Sequence, residues 1–101
     1  MDRNIRLKQI IIYYGVDNQL RKLQEEIFEL SQAIIKYETC NYYDVKERDP
    51  EETKEHIEEE IADCYVMLGQ FKEHYNLDDK KIENIIDYKI QRTLDRIEGD
   101  E

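Results

Sequence analysis

Apolar and polar residues alternate at helical spacing along most of the chain, which contains only one proline and three glycines. Few helix breakers together with abundant Glu, Lys, Leu, Ile and Gln favour an all-α fold. The spacing predicts four helices: about 3–14, 18–38, 50–75, and a last one that opens at Asp78 and ends before a frayed tail over 98–101. A strand over 10–14 is the alternative by propensity, but no second strand exists for it to pair with.

Several residues mark the predicted boundaries. Gly15 stops the first helix, and Asp17 is a suitable N-cap for the second. Asp49 followed by Pro50 is typical of a helix start, and residues 39–49 form the one predicted loop. Asp78 caps the last helix, with Leu77 and Ile82 around it as a hydrophobic staple.

Three of the helices carry an apolar stripe, which predicts the faces that they bury. The third helix is apolar beyond one stripe, so we expect it to be central, and Gly69 within it is expected to mark a close helix crossing. The stripes comprise Leu20, Leu23, Ile27, Leu30 and Ile34 in the second helix; Ile57, Ile61, Cys64, Leu68, Phe71 and Tyr75 in the third; and Ile82, Ile86, Ile90, Leu94 and Ile97 in the fourth.

The composition limits the class of protein. A chain of 101 residues that is 40% hydrophobic and 40% charged predicts one small domain over 1–101 with a modest core, for which oligomerisation would add burial. A net charge of −10 argues against binding a nucleic-acid polymer. Cys40 and Cys64 show neither a disulfide nor a zinc pattern. With no signal peptide and no apolar run long enough for a membrane span, we expect a cytoplasmic protein.

Two acidic pairs suggest chemistry. Glu26 and Glu29 form Glu-x-x-Glu, and Glu60 and Asp63 form Glu-x-x-Asp, each at the border of an apolar stripe. Residues three apart on a helix point in similar directions, so packing of the two helices would bring four carboxylates together. Such a group suits Mg²⁺ or Mn²⁺. The alternative is that these acids lie on solvated faces, as acids in Glu-rich helices commonly do.

A basic stripe follows on the last helix, formed by Lys89, Arg92 and Arg96. It could clamp phosphate oxygens or pair with acids of a neighbouring helix. Tyr42 and Tyr43 could stack on a base or pack over an end of the bundle. The remaining tyrosines are expected in the core or in an interface, and neither His56 nor His74 has a nucleophilic partner at a recognisable spacing. Those tyrosines are Tyr13, Tyr14, Tyr37, Tyr65, Tyr75 and Tyr88.

Three segments together resemble the MazG-like nucleoside triphosphate pyrophosphohydrolases of the all-α pyrophosphatase superfamily. They are KLQEEIFELSQAI, HIEEEIADCYVMLGQ and KIQRTLDRI, and the resemblance covers about residues 18–97. The family signature, Glu-x-x-Glu followed by Glu-x-x-Asp, falls on the two acidic pairs, and Glu25 matches an additional family acid. The 30 residues between Glu29 and Glu60 are slightly more than the usual spacer.

The resemblance implies Mg²⁺-dependent hydrolysis of (deoxy)nucleoside triphosphates to the monophosphate and pyrophosphate. It implies a four-helix bundle assembled as a dimer or a dimer of dimers, in bacteria or their phages. Glu26, Glu29, Glu60 and Asp63 would hold the metal, and Glu25 would activate water. The phosphates would contact Lys89, Arg92 and Arg96, and further candidates for substrate contact are Gln19, Lys22, Tyr42 and Tyr43.

Two other interpretations remain open. A dedicated dUTP or dCTP hydrolase of the same superfamily would differ in its base pocket alone. A non-catalytic helical metal-binding or interaction protein would show no metal-dependent phosphate release. A di-iron carboxylate bundle fits less well, because such sites use Glu-x-x-His and neither histidine is placed to complete one.

Overall fold

The computed structural model describes residues 2–43 and 49–99, without the side chains of 40–43. Four helices make up this part of the chain: α1 (Arg3–Tyr14), α2 (Val16–Tyr43), α3 (Pro50–His74) and α4 (Asp79–Gly99). The described ranges contain no strand, so the prediction of an all-α fold is confirmed and residues 10–14 are helical. None of the helices in these ranges is long and apolar enough to cross a membrane.

Most helix ends lie where the sequence places them. Gly15 has a φ of 91° and its N–H donates to the Ile11 carbonyl, which ends α1 in a conformation that suits glycine. The Asp49 carboxylate accepts from the Glu51 N–H at 3.0 Å, with Pro50 as the first residue of α3. Asp78 accepts from the N–H groups of Lys80 and Lys81, which caps α4.

The bounds of α2 differ from the prediction. The helix begins at Val16, so Asp17 lies in its first turn and is not the N-cap. It continues through Tyr43, so residues 39–43 of the predicted loop are helical, because no proline or glycine interrupts them. Residues 44–48 of that loop lie outside the described part. The predicted tail is helical at Glu98 and Gly99, and its last two residues also lie outside the described part.

The centre of the fold is α3, which packs against α2 along most of its length and against α1 on another side. Ile11, Ala33, Cys64 and Met67 are the buried apolar residues of the described part. A Cβ atom on Gly69 would lie 2.8 Å from Cδ1 of Leu7, so α1 approaches α3 closely at this glycine and a larger residue would require the Leu7 side chain to shift. The predicted central position of α3 and the close crossing at Gly69 are both confirmed.

The predicted apolar stripes of α2 and α3 are only partly buried. Four stripe residues are half-buried and Cys64 is buried, whereas three stripe residues of α2 are 42–51% exposed and three of the predicted third-helix stripe are 36–56% exposed. Apart from Cys64, the contact between the helices is centred on positions outside the stripes that include charged and amide side chains. The half-buried residues are Leu23, Leu30, Ile57 and Phe71; the exposed ones are Leu20, Ile27, Ile34, Ile61, Leu68 and Tyr75; the buried contact residues are Gln19, Glu26, Ala33, Glu60, Cys64, Met67 and Gln70.

The fourth helix stands apart from the other three. None of its residues is buried, and the stripe residues Ile86, Ile90, Leu94 and Ile97 are all 42–54% exposed. An ion pair between Lys72 and Asp79 joins its first residue to α3. The described part is therefore an all-α bundle in which α1, α2 and α3 form the packed unit and α4 makes few contacts with them.

Most of the tyrosines that the sequence assigned to a core or an interface are exposed in the described part. Tyr37 is half-buried, but the other five that the sequence assigned to a core or an interface are exposed. They do not form part of the core of this chain. These five are Tyr13, Tyr14, Tyr65, Tyr75 and Tyr88.

Candidate metal centre

The antiparallel contact between α2 and α3 brings the two acidic pairs together. Gln19 lies opposite Gln70 and, two turns further along α2, Glu26 lies opposite Glu60 and Asp63. One carboxylate oxygen from each of these three acids lies within 4.8 Å of the other two. A cation between them would accept three oxygen ligands from the two helices.

Burial distinguishes this cluster from the many acids on the surface. Glu26 is 5% exposed and Glu60 is 7% exposed. One oxygen of each is paired: Oε1 of Glu26 accepts from Nζ of Lys22 at 3.0 Å, and Oε1 of Glu60 lies 3.1 Å from Nε2 of His56. The Oε2 atoms of both glutamates are buried and have no hydrogen-bond partner among the residues that the structure describes.

Two unpartnered carboxylate oxygens in the interior are costly, because a buried polar atom without a partner loses its hydration and gains nothing in exchange. Such atoms usually have a bound ion, water or catalytic role. Hard oxygen donors from two glutamates and an aspartate are the ligand type of Mg²⁺ and Mn²⁺. The donor set and its unpartnered atoms therefore fit a divalent cation.

The electrostatics of the cluster favour neutralisation. Burial raises the pKa of Glu60 above its ordinary value, and the charges of Glu29, Glu26 and Asp63 raise it further, while the hydrogen bond from His56 opposes the shift. Burial raises the pKa of the Cys64 thiol, and the charges of Glu26, Glu60 and Asp63 raise it further, so Cys64 remains a neutral thiol beside them. The hydrogen bond to Glu26 raises the pKa of Lys22.

The remaining predicted acids lie around this cluster. Asp63 belongs to it but is exposed, which leaves one side open to solvent. Glu29 is exposed and outside the group of three, although it is near enough for its charge to act on Glu60. Glu25 is also exposed, and it lines a cleft of about 520 Å³ beside the cluster.

Two of the substrate candidates border the same cleft. Gln19 and Lys22 line it together with Glu25 and Met67. The Gln19 amide donates to Oε1 of Gln70 at 2.8 Å, and both amides are buried. This hydrogen bond fixes the orientation of Gln19 at the wall of the cleft.

Sequence reasoning missed two residues of this region. His56 was set aside because it lacks a nucleophilic partner, although its position four residues before Glu60 places it on the same helix face. Gln70 lies ten residues after Glu60, and its partner Gln19 is 51 residues away in sequence. Nothing in the local pattern identifies such a pair.

The basic stripe does not reach the acids within one chain. Lys89, Arg92 and Arg96 lie on α4, and no hydrogen bond or ion pair in the described part joins them to the cluster. The guanidinium of Arg92 lies 5.8 Å from the ring centre of Tyr88 on its own helix. The side chains of Tyr42 and Tyr43 lie outside the described part.

Comparisons of the chain with protein-family models, with curated proteins and with solved structures find no match.

Proposed function

We propose that this protein hydrolyses nucleoside triphosphates to the monophosphate and pyrophosphate in a reaction that requires a divalent cation. The observation that carries the proposal is the cluster of Glu26, Glu60 and Asp63, with its two buried and unpartnered oxygens. The MazG-like pattern in the sequence selects the reaction, since these three acids belong to that pattern.

In this reaction, the residues of the cluster would bind the cation, and their neighbours would orient them. Glu26, Glu60 and Asp63 would hold the cation, with Glu29 at the open edge. When bound, Mg²⁺ neutralises phosphate oxygens and stabilises the charge that develops during phosphoryl transfer. Lys22 and His56 would each orient one oxygen of a glutamate, so that the other oxygen of Glu26 and of Glu60 would be available to bind the ion.

The cleft beside the cluster would receive the substrate. Glu25 lies there, outside the group of three, and can accept a proton from an attacking water. The water oxygen forms a bond to the α-phosphorus, the bond from that phosphorus to the α–β bridging oxygen breaks, and pyrophosphate leaves. Gln19 and Lys22 border the cleft and would contact the nucleotide.

In this proposal, the basic stripe contacts the substrate only if a second subunit supplies it. Within the described part, no ion pair joins the stripe residues Lys89, Arg92 and Arg96 to the acidic cluster, and a homodimer or homotetramer would bring the α4 of another copy nearby. Their Arg and Lys groups are suited to phosphate oxygens of the substrate and of the leaving pyrophosphate.

The test combines activity with metal binding. Purified protein is incubated with Mg²⁺ and each of the common NTPs and dNTPs, and the products are separated by chromatography. Monophosphate and pyrophosphate are expected, with loss of turnover in chelator. Preference for dUTP or dCTP alone would identify a dedicated hydrolase. Binding of Mn²⁺ is measured separately by calorimetry or electron paramagnetic resonance.

Glu60→Gln is the decisive variant, and the exposed neighbour Glu59→Gln is its matched control. We expect Glu60→Gln to lower turnover at least ~100-fold and to weaken Mn²⁺ binding, since it removes a buried ligand oxygen. Glu59→Gln should leave both unchanged. Metal binding without turnover of any nucleotide would favour the non-catalytic interpretation, and unchanged Mn²⁺ affinity in Glu60→Gln would rule out the site itself.

A further inference from the structure

A second concave surface, which we call the α1–α3 groove, lies between the first helix and the third. Its volume is about 900 Å³, and side chains of both helices line it. On α3, the lining residue Ala62 is turned by about 160° from Glu60, and Tyr65 is turned by the same angle from Asp63. The groove and the acidic cluster therefore lie on different sides of α3.

The α1–α3 groove combines an apolar floor with an aromatic rim. Leu7 and Ile10 line it from α1 and are half-buried. Three tyrosines also line it and are far more accessible: Tyr13 is 81% exposed, Tyr14 is 55% exposed and Tyr65 is 70% exposed. Aliphatic side chains below and accessible aromatic rings beside them suit a ligand with a flat apolar body.

Two of the tyrosine rings are set at right angles to each other. The ring centres of Tyr13 and Tyr14 are 4.9 Å apart, and their planes meet at 86°. A flat ligand can stack on the face of one ring while it contacts the other ring from the side, and both contacts are favourable for aromatic groups. The corner that these two rings form therefore favours a planar ring system over an aliphatic chain.

The charge of α1 is opposite in sign to that of the chain. This helix carries Arg3, Arg6 and Lys8 and no acid, whereas the chain as a whole has a net charge of −10. By contrast, α2 has five acids and three bases, α3 has eight acids and two bases, and α4 is neutral. Among the described helices, positive charge is thus concentrated at the α1–α3 groove.

Both arginines of α1 line the groove without an ionic partner. No hydrogen bond or ion pair of a guanidinium of Arg3 or Arg6 is found in the described part, although Glu58 and Glu59 lie one turn before Ala62 on α3. Cations in the first turn of a helix are also disfavoured by its dipole. Two unpaired guanidinium groups at one groove are suited to a carboxylate or a phosphate.

The size of the groove favours a small molecule over a partner helix. Ligand pockets commonly enclose about 300–1,000 Å³, which includes this groove. A helix bound in a groove is anchored over about two turns. The floor from Leu7 to Ile10 spans only about 4.5 Å at the helical rise. An anionic membrane surface fits less well, because the net charge of −10 opposes its approach.

We propose that the α1–α3 groove binds a small organic anion with a planar aromatic ring system. The ring system packs on Leu7 and Ile10 and against the tyrosines of the rim, and the carboxylate or phosphate of the ligand binds Arg3 and Arg6. This site is separate from the acidic cluster. Its test measures binding in chelator, so its outcome is independent of metal binding and of nucleotide hydrolysis.

The test titrates the full chain with two fluorescent probes that share their rings and differ in charge. Anilinonaphthalene sulfonate is the anion, and phenylnaphthylamine is the same ring system without the sulfonate. Arg6→Gln should raise the Kd of the anionic probe at least ~10-fold and leave that of the neutral probe unchanged, because it removes charge-assisted hydrogen bonds alone. Lys8→Gln is the matched control, since Lys8 is an exposed cation of the same helix that does not line the groove.

A second variant tests the aromatic rim. Tyr65→Ala should weaken the binding of both probes, because it removes a ring that contacts the apolar body of each. Tyr88→Ala, which removes an equally exposed tyrosine on α4, should weaken neither. Circular dichroism verifies that each variant is folded. Unchanged binding of the anionic probe in Arg6→Gln would overturn the proposal, as would an equal loss in Lys8→Gln.

Competition then distinguishes the two kinds of anion. Naphthyl phosphate and naphthoate carry the same rings, and displacement of the anionic probe by either supports the proposal and identifies phosphate or carboxylate as the preferred group. Displacement by neither would overturn it. Equal displacement by inorganic phosphate would also overturn it, because the rings would then contribute nothing. Vesicles of phosphatidylserine that bind the wild type but not Arg6→Gln, without displacing the probe, would assign the arginines to a membrane surface instead.

Discussion

The α2–α3 contact and α4 distribute polar and apolar groups in opposite ways. The contact buries two glutamates and two glutamines beside Ala33, Cys64 and Met67. The fourth helix buries none of its residues, and four of its isoleucines are 42–54% exposed. In an isolated globular domain, both arrangements are unfavourable, since buried charges lose hydration and exposed aliphatic groups gain no burial.

The contrast distinguishes two kinds of incomplete surface within the described part. The acidic contact lacks positive charge at the Oε2 atoms of Glu26 and Glu60, where the proposed divalent cation would bind. The fourth helix lacks apolar surface against its isoleucines, and in the proposed homo-oligomer a second copy would supply it. For a small and highly charged chain, an ion and a partner would then add stability that a modest core does not provide.

The largest expected effect on stability comes from a substitution in the core, and it is compared with a substitution on α4. Ile11 is fully buried, so Ile11→Ala should lower the free energy of unfolding by about 2–5 kcal/mol at every protein concentration. If α4 packs in the proposed homo-oligomer, Ile90→Ala should act only at protein concentrations where that oligomer is populated, because the Ile90 side chain is 54% exposed within one chain. Urea unfolding over a hundredfold range of protein concentration measures both. A concentration-independent loss in Ile90→Ala would mean that α4 packs on its own chain.

The second effect concerns the buried charge. In chelator, Glu60→Gln should increase the free energy of unfolding by about 1–3 kcal/mol near neutral pH, because an amide replaces a buried carboxylate oxygen that has no partner. Addition of Mg²⁺ should stabilise the wild type and leave the variant unchanged. Thermal unfolding with and without the ion measures this difference, and Glu59→Gln serves as the control. A less stable variant in chelator would contradict the assignment of Glu60 as an unneutralised group.

The pH dependence has a defined sign. The pKa of Glu60 is raised in the folded chain, so the folded state holds its proton over a range in which the unfolded state has lost it. The stability of the metal-free wild type should therefore decline as pH rises from about 4.5 through the raised value. Glu60→Gln removes this contribution, and the advantage of the variant should grow over the same range.

Much of the fold could be predicted from local signals. Gly15, the Asp49-Pro50 start and Asp78 mark helix ends because they act on the backbone within one turn. The start of α2 was predicted at residue 18, whereas the helix begins at Val16, because Gly15 is the only residue between α1 and α2. The exposure of the apolar stripes could not be predicted, since periodicity shows which residues share a face but not which face meets which helix.

The candidate site shows the same limit. The spacing of Glu26, Glu60 and Asp63 predicted their convergence, which the structure confirms for these three but not for Glu29. The basic stripe lies on α4, as its spacing predicts, but no ion pair in the described part joins it to the acids. Whether it approaches the acids of another copy in the proposed assembly depends on how α4 docks there, which no local pattern encodes.

The smallest effect tests whether the buried amides stabilise the α2–α3 contact or only orient the cleft. Gln19→Leu or Gln70→Leu alone leaves one buried amide without its 2.8 Å hydrogen bond and should lower stability by about 1–3 kcal/mol. The double variant should recover most of this loss, since no unpartnered amide remains. A double-mutant cycle by urea unfolding measures the coupling. If the double variant is stable but loses nucleotide affinity, the Gln19–Gln70 pair belongs to the substrate cleft. If its affinity is unchanged, the pair only fills the contact between α2 and α3. In that case, the acids are the only buried polar residues of this contact that act in the proposed function.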